Sequence, residues 1–295
     1  MRLSNVRMGD EFKSGGDLKR SKRNDWGKSI EELIRHFAPF PISYDVDCTQ
    51  SLNFSEFSYT EILGGMYINT QNTDTNCRII ESASKEKTKI DHIANIKKIS
   101  ADKYDLVSID KNYDYPKKIG FMVGHNMFDM VSRENVARIA FENDDFKLKL
   151  HPLTNQNYAG KIASTIGWNK IIQNDVSGVA LLKNAESVYT TTSSELGLMA
   201  VAYDKDIHNI TAFFNESIGV YYPISKLLFT AERNRRKTIL NNIIDCKYSG
   251  ILFPWMTDVE ERINAYYKKA LEVREIYKPL SIPSELKKTP CDPNA

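Results

Sequence analysis

From Lys118 to Thr211 the chain alternates short apolar stretches with longer segments in which apolar residues recur every three or four positions. "KIGFMVG", "FKLKLHP", "SVYTTT" and "IHNIT" read as strands, while "SRENVARIAFEN", "YAGKIASTIG", "GVALLKNA" and "SELGLMAVAY" read as helices, the first capped by Ser132. Strands alternating with helices of about ten residues predict a parallel sheet covered on both faces. Two longer helical patterns follow, "ERNRRKTILNNIID" and "DVEERINAYYKKALEVREIY", before a polar, Pro-containing tail. In the second, Val259, Ile263, Tyr266, Tyr267, Ala270, Val273 and Ile276 form one core-like stripe. The stripe needs no outside partner, and the pattern leaves open whether it packs on the second half of the chain or crosses back to the first.

Upstream the pattern is weaker. The first 27 residues are polar and Gly-rich, with Lys19, Arg20, Lys22 and Arg23 close together, which predicts a mobile basic arm. "GKSIEELIRHF" predicts an amphipathic helix with Ile30, Leu33, Ile34 and Phe37 on one side and "PFP" as its stop. "ISYDV" and "GMYIN" read as strands, separated by a polar segment without a clear element. Within it "GG" (Gly64, Gly65) reads as a plain turn, or as a close approach of backbone to a ligand. "IDHIANIKKI" (Ile90 to Ile99) reads as a helix feeding a buried strand, "YDLVSID", that ends in an acid. The polar "KNYDYPKK" then reads as a linker. The expected organisation is an arm (1–27), an α/β domain (28–115), a second Rossmann-like domain (116–257) and a C-terminal helix with tail (258–295).

Composition narrows the partners. A chain of 295 residues that is 41% hydrophobic has room for two ordinary cores. Its 40 Lys and Arg against 38 Asp and Glu leave a formal charge of +2, so no global field favours nucleic acid or membrane, and any basic surface is local. Cys48, Cys77, Cys246 and Cys291 are far apart and make no CxxC, which predicts a reducing compartment. The N-terminus has no apolar core of a secretion signal, and nowhere do about eighteen apolar residues run together. A cytoplasmic protein without a membrane span is expected.

The ends of parallel strands are where chemistry is expected, because ligands bind beyond their carboxyl ends, where the following helices aim free N–H groups. After "KIGFMV" come Gly124, His125 and Asn126; after "FKLKL" come His151 and Pro152; after "SVY" come Thr190, Thr191, Thr192, Ser193 and Ser194, with Glu195 opening a helix. If the strands are neighbours, these groups converge on one crevice. Each also has an ordinary reading: His151 as a satisfied strand-end residue, and Ser193 or Ser194 as an N-cap whose oxygen accepts a bond from the first turn. Together they fit recognition of a nucleotide phosphate by hydroxyls, amides and an imidazole. There is no GxGxxG after a strand, no GxxxxGK[ST], no GxSxG, no HExxH and no DxD pair suited to a metal-bound nucleotide, so the expected chemistry uses neither a P-loop nor a metal, and no cofactor.

The pair His151-Pro152, followed 42 positions later by Ser193-Ser194 (193 minus 151), resembles the HP and SS motifs of bacterial sialyltransferases, polysialyltransferases and related capsule sugar transferases. The resemblance covers about 100 residues, Lys118 to Thr211. It implies a GT-B fold, two Rossmann-like domains with the active site in the cleft between them. The N-terminal domain would face the acceptor and the C-terminal domain would bind a nucleotide sugar. It also implies that His151 helps the nucleotide leave by contacting its phosphate, and that Ser193 and Ser194 hold the same phosphate. The acidic motif in which the family carries its general base has no match here. The base is sought instead at predicted strand ends of the first domain, Asp47 and Asp110. The acceptor is a surface glycan, or a hydroxylated base in DNA as in phage DNA glycosyltransferases. For DNA, the backbone would meet two basic clusters, Lys19, Arg20, Lys22, Arg23 and Arg233, Arg235, Arg236, Lys237. The alternative is a non-catalytic nucleic-acid-binding protein that uses those clusters alone.

Overall fold

A computed structural model gives the fold. It describes residues 25–39, 42–44, 57–88, 90–104, 113–122, 131–151, 154, 156–172, 176–212 and 219–276. In chain order, the first part contains α1 (Asp25–Phe37), β1 (Ile42–Tyr44), β2 (Phe57–Ile62), β3 (Gly65–Thr70), α2 (Thr73–Lys85) and α3 (Ile93–Tyr104). There follow β4 (Lys118–Phe121), α4 (Arg133–Glu142), β5 (Phe146–Lys149), α5 (Gln156–Ile166), β6 (Ile171–Ile172), α6 (Gly178–Asn184), β7 (Ser187–Thr190), α7 (Glu195–Ala202) and β8 (Asp206–Asn209). The chain continues through α8 (Tyr222–Thr230), α9 (Arg233–Asp245), β9 (Ile251–Leu252) and α10 (Val259–Ile276).

The later strands form the predicted parallel sheet, in the order β6-β5-β4-β7-β8. The chain starts in the middle at β4, moves outward through β5 to β6, and then returns across β4 to β7 and β8. Numbered by appearance this is 3-2-1-4-5, the doubly wound order. One face is covered by α4 and α5, whose Val136, Ile139, Ile162 and Ile166 pack on Met122, Phe146 and Leu148. The other is covered by α6 and α7, whose Val179, Leu182, Leu198 and Val201 pack on Ile119, Phe121, Val188 and Ile207.

The first sheet is mixed, in the order β1-β2-β3-β9. β2 and β3 form a hairpin whose two turn residues, Leu63 (φ 48°) and Gly64 (φ 85°), both adopt the left-handed conformation that a tight two-residue turn requires. The neighbouring Gly65 is needed for another reason, since a side chain there would run into the Leu252 carbonyl and the Phe253 ring. β9 pairs antiparallel with β3 through Met66–Leu252 and Tyr67–Ile251, so the chain has returned to the first sheet before residue 258. α10 then crosses to the same sheet. Its Val259, Ile263, Tyr266, Tyr267, Ala270 and Val273 are buried with Ile30 and Ile34 of α1 and with Phe57 and Tyr59 of β2. The stripe that reads as self-sufficient therefore packs on the opposite end of the sequence.

Elements absent from the sequence reading are β2, α2, β6, α8 and β9. α3 begins at Ile93 rather than Ile90, whose side chain is exposed, and it continues through Tyr104, where a strand is expected. The rest of that expected strand lies outside the described residues.

Candidate functional site

The returning connection creates a switch point between β4 and β7, beyond whose carboxyl ends a doubly wound sheet forms its crevice. β7 delivers Thr191–Ser194 to this point and β5, on the other side of β4, delivers His151. At about 4.8 Å per strand, the ends of β5 and β7 are roughly 10 Å apart, too far for direct contact and suited to a group lying between them. The His151 carbonyl accepts the Thr154 N–H (2.8 Å), so the chain turns at once after the strand. Gly124, His125, Asn126, Pro152, Asp47, Asp110, Lys19, Arg20, Lys22 and Arg23 lie outside the described residues.

Between β7 and α7 the chain makes a tight turn in which the Ser194 N–H is donated to the Thr191 carbonyl (3.2 Å) and the Gly197 N–H to the Ser194 carbonyl (3.1 Å). Thr192 is fully buried, and its N–H is donated to Thr211 Oγ1 (3.0 Å). The Thr192 carbonyl accepts the Ser225 hydroxyl (3.1 Å), so the turn is held from β8 and from α8. Ser193 and Glu195 are half-buried, with Ser193 pressed against the backbone of Gly219, where φ is +103°.

The expected cap is not what the turn makes. Ser194 occupies the N-cap position of α7, yet its side chain makes no capping bond, whereas Ser132 and Ser177 accept the N–H of Asn135 (3.3 Å) and Ala180 (3.2 Å) in α4 and α6. Among the described residues the Ser194 hydroxyl has no hydrogen-bond partner, and neither do Thr190 Oγ1 and Thr191 Oγ1, both on completely buried residues. Buried hydroxyls are normally paired, so two such threonine oxygens beside one helix start are unusual, while the half-buried Ser194 hydroxyl is open to solvent. Thr190 also abuts α7: its Cγ2 would stand 2.7 Å from a Cβ on Gly197.

Sequence reasoning misses two further residues here. Lys149 is only 7% exposed, two positions before His151 on β5. Thr211, buried at the end of β8, donates its hydroxyl to Asn209 Oδ1 (2.6 Å) while accepting from Thr192, and so stiffens the turn. A Lys in an alternating strand reads as solvent-facing, and only the helices laid on both faces bury it.

The described basic cluster is largely engaged in structure. Arg233 donates to the Asp204 carbonyl (2.9 Å), Arg236 pairs with Asp206 (3.1 Å), and Lys237 pairs with Asp204 (3.5 Å). These contacts fasten α9 to the turn before β8. Arg235 is exposed and has no side-chain bond among the described residues. A cavity of about 520 Å³ lies over β7 and β8 on the α4 side, with Tyr189 and His208 in its wall.

No protein-family model matches the chain, and no curated protein matches it in sequence. Among solved structures, one that matches is from Listeria monocytogenes, assigned as a UDP-N-acetylglucosamine 2-epimerase. The match is 16% identical with a TM-score of 0.28, over 56% of this chain and 50% of that one, so the chain spans about half the length of the structure it matches. No described helix is long and apolar enough to cross a membrane.

Proposed function

We propose that this chain is a nucleotide-sugar-dependent glycosyltransferase of the GT-B type, with its donor phosphate held at the start of α7. The carrying observation is the N-terminus of that helix, at the switch point of a 3-2-1-4-5 sheet, whose half-buried N-cap Ser194 makes no capping bond, with the buried, unpartnered Thr190 and Thr191 hydroxyls beneath it. A helix start concentrates partial positive charge, and an N-cap hydroxyl that does not serve its own helix is available to a phosphate oxygen. His151, one strand beyond β4, supplies an imidazole on the far side of the same phosphate.

In this reading the acceptor hydroxyl attacks the anomeric carbon with inversion, and the bond from that carbon to the phosphate oxygen breaks. The hydroxyl proton passes to a carboxylate, Asp47 or Asp110, contributed by the part of the chain that carries the first sheet, across a cleft from the parallel sheet. The nucleotide leaves with its negative charge stabilised by His151, Ser193, Ser194 and the first turn of α7, without a metal. The acceptor is a surface glycan or a hydroxylated DNA base.

A thermal-shift panel of CMP, UDP, GDP and their sugars tests the donor site. A nucleotide that binds only the folded state raises the melting temperature by mass action, about 2.7 kcal/mol at a hundredfold excess over Kd. The panel also identifies the donor, and the absence of any shift in a folded sample overturns the reading. His151→Ala should lower turnover by about 100-fold or more at an unchanged melting temperature.

A further inference from the structure

The cavity over β7 and β8 is a built feature that the donor reading does not use. Its aromatic side is a stack of rings. Tyr189 and His208, neighbours across the two strands, are stacked with centroids 4.6 Å apart and planes 19° from parallel, so each covers one face of the other. Phe146 stands edge-on to Tyr189 at 5.6 Å. The ring left with an open face is His208, on the edge strand β8, whose side chain is 40% exposed. The opposite wall is polar, formed by Asn135 and the Arg138–Glu142 pair of α4.

Three properties decide what such a cavity takes. Its charges are already matched, because Arg138 holds Glu142 (3.0 Å) and Arg236 holds Asp206 (3.1 Å), so an ionic ligand would have to break a pair to gain one. Its neutral groups are not matched: among the described residues the Asn135 side-chain amide, the Tyr189 hydroxyl and the Asn209 NH₂ have no hydrogen-bond partner. They are donors and acceptors in mixture, which suits groups that are themselves both, as hydroxyls are. Finally, the open His208 ring shares the cavity with polar side chains. A planar base stacks best between two apolar faces, whereas a sugar ring needs one apolar face for its C–H groups and polar neighbours around its rim.

We propose that this cavity is a second binding site, separate from the donor crevice, for a neutral sugar ring laid on the open face of His208 with its hydroxyls on Asn135, Asn209 and Tyr189. Its volume lies within the range of small-molecule sites. Burial pushes the His208 imidazole below its ordinary value, against the opposing pull of Asp206, which keeps the ring uncharged near neutrality.

The test is NMR on the full chain with millimolar methyl glycosides of glucose, galactose, mannose and N-acetylglucosamine and their β-linked disaccharides, read on the His208 imidazole resonances. At least one sugar should move those resonances. Asn135→Ala, which removes an unpaired amide, should weaken that binding about 3- to 10-fold at an unchanged melting temperature. The proposal is overturned if no sugar perturbs His208, if Asn135→Ala leaves the affinity unchanged, or if uridine, cytidine or adenosine binds there more tightly than every sugar. The probes carry no phosphate, so failure here is distinct from failure of the nucleotide thermal shift.

Discussion

Three serines occupy equivalent places at helix starts and do different things. Ser132 and Ser177 bond to amides in the first turn of α4 and α6, and Ser194 does not bond to α7. Ser132→Ala and Ser177→Ala should therefore each lower stability by about 0.5–2 kcal/mol in denaturant unfolding. Ser194→Ala should leave stability within about 0.5 kcal/mol and weaken nucleotide binding instead. An equal loss of stability in all three would make Ser194 an ordinary cap. The sequence reads all three alike, because the preference for serine at a cap carries no information on where the hydroxyl points. His208 offers a second check at this scale. With its folded pKa below 6.5, the unfolded chain takes up the proton first as pH falls, so stability declines through that window. An NMR titration of the ring should give a midpoint below 6.5.

At the scale of elements, periodicity reveals what is regular and buried on a clear pattern. The helices of the parallel sheet and four of its five strands are legible because each strand has an apolar centre and each helix an apolar side, whereas β6 is only two residues long. β2 ("FSYTEI") and α2 ("TDTNCRIIESASK") are not, since their polar residues are satisfied by tertiary partners rather than by water. Ser58 donates to Asn69 across the hairpin (2.7 Å), and the Asn76 amide holds Thr70 from the helix, so buried polar positions break the pattern. β9 is two residues long and defined only by its neighbour. α7 shows the reverse effect, a glycine that propensity would remove. Gly197→Ala gains up to about 1 kcal/mol of helix propensity but places a methyl 2.7 Å from Thr190 Cγ2. Overpacking dominates, and the variant should unfold about 1–3 kcal/mol more easily. A stabilised variant would mean that α7 is less tightly seated on β7 than its contacts indicate.

The whole molecule is joined more closely than its sequence pattern implies. One buried cluster takes in Ile62, Leu63 and Tyr67 of the first sheet together with Ile119, Val188 and Ile207 of the second. β9 and α10 return to the first sheet, and Trp255, between them, donates its indole N–H to the Nδ1 atom of buried His92 (3.2 Å), whose Nε2 faces Asp245 (3.1 Å). Such interlocking is non-local and leaves no periodic trace. Tryptophan fluorescence and far-ultraviolet circular dichroism should consequently report one coincident unfolding transition, and two separated transitions would show that the sheets unfold independently. A donor phosphate at the start of α7 requires that a nucleotide bind there. Backbone amide NMR of the full chain, titrated with the nucleotide that gives the largest thermal shift, locates it directly. The predicted result is that the largest perturbations fall on Thr191–Leu196 and on His151. Perturbations confined to other surfaces, with these amides unmoved, would contradict a donor phosphate at the start of α7.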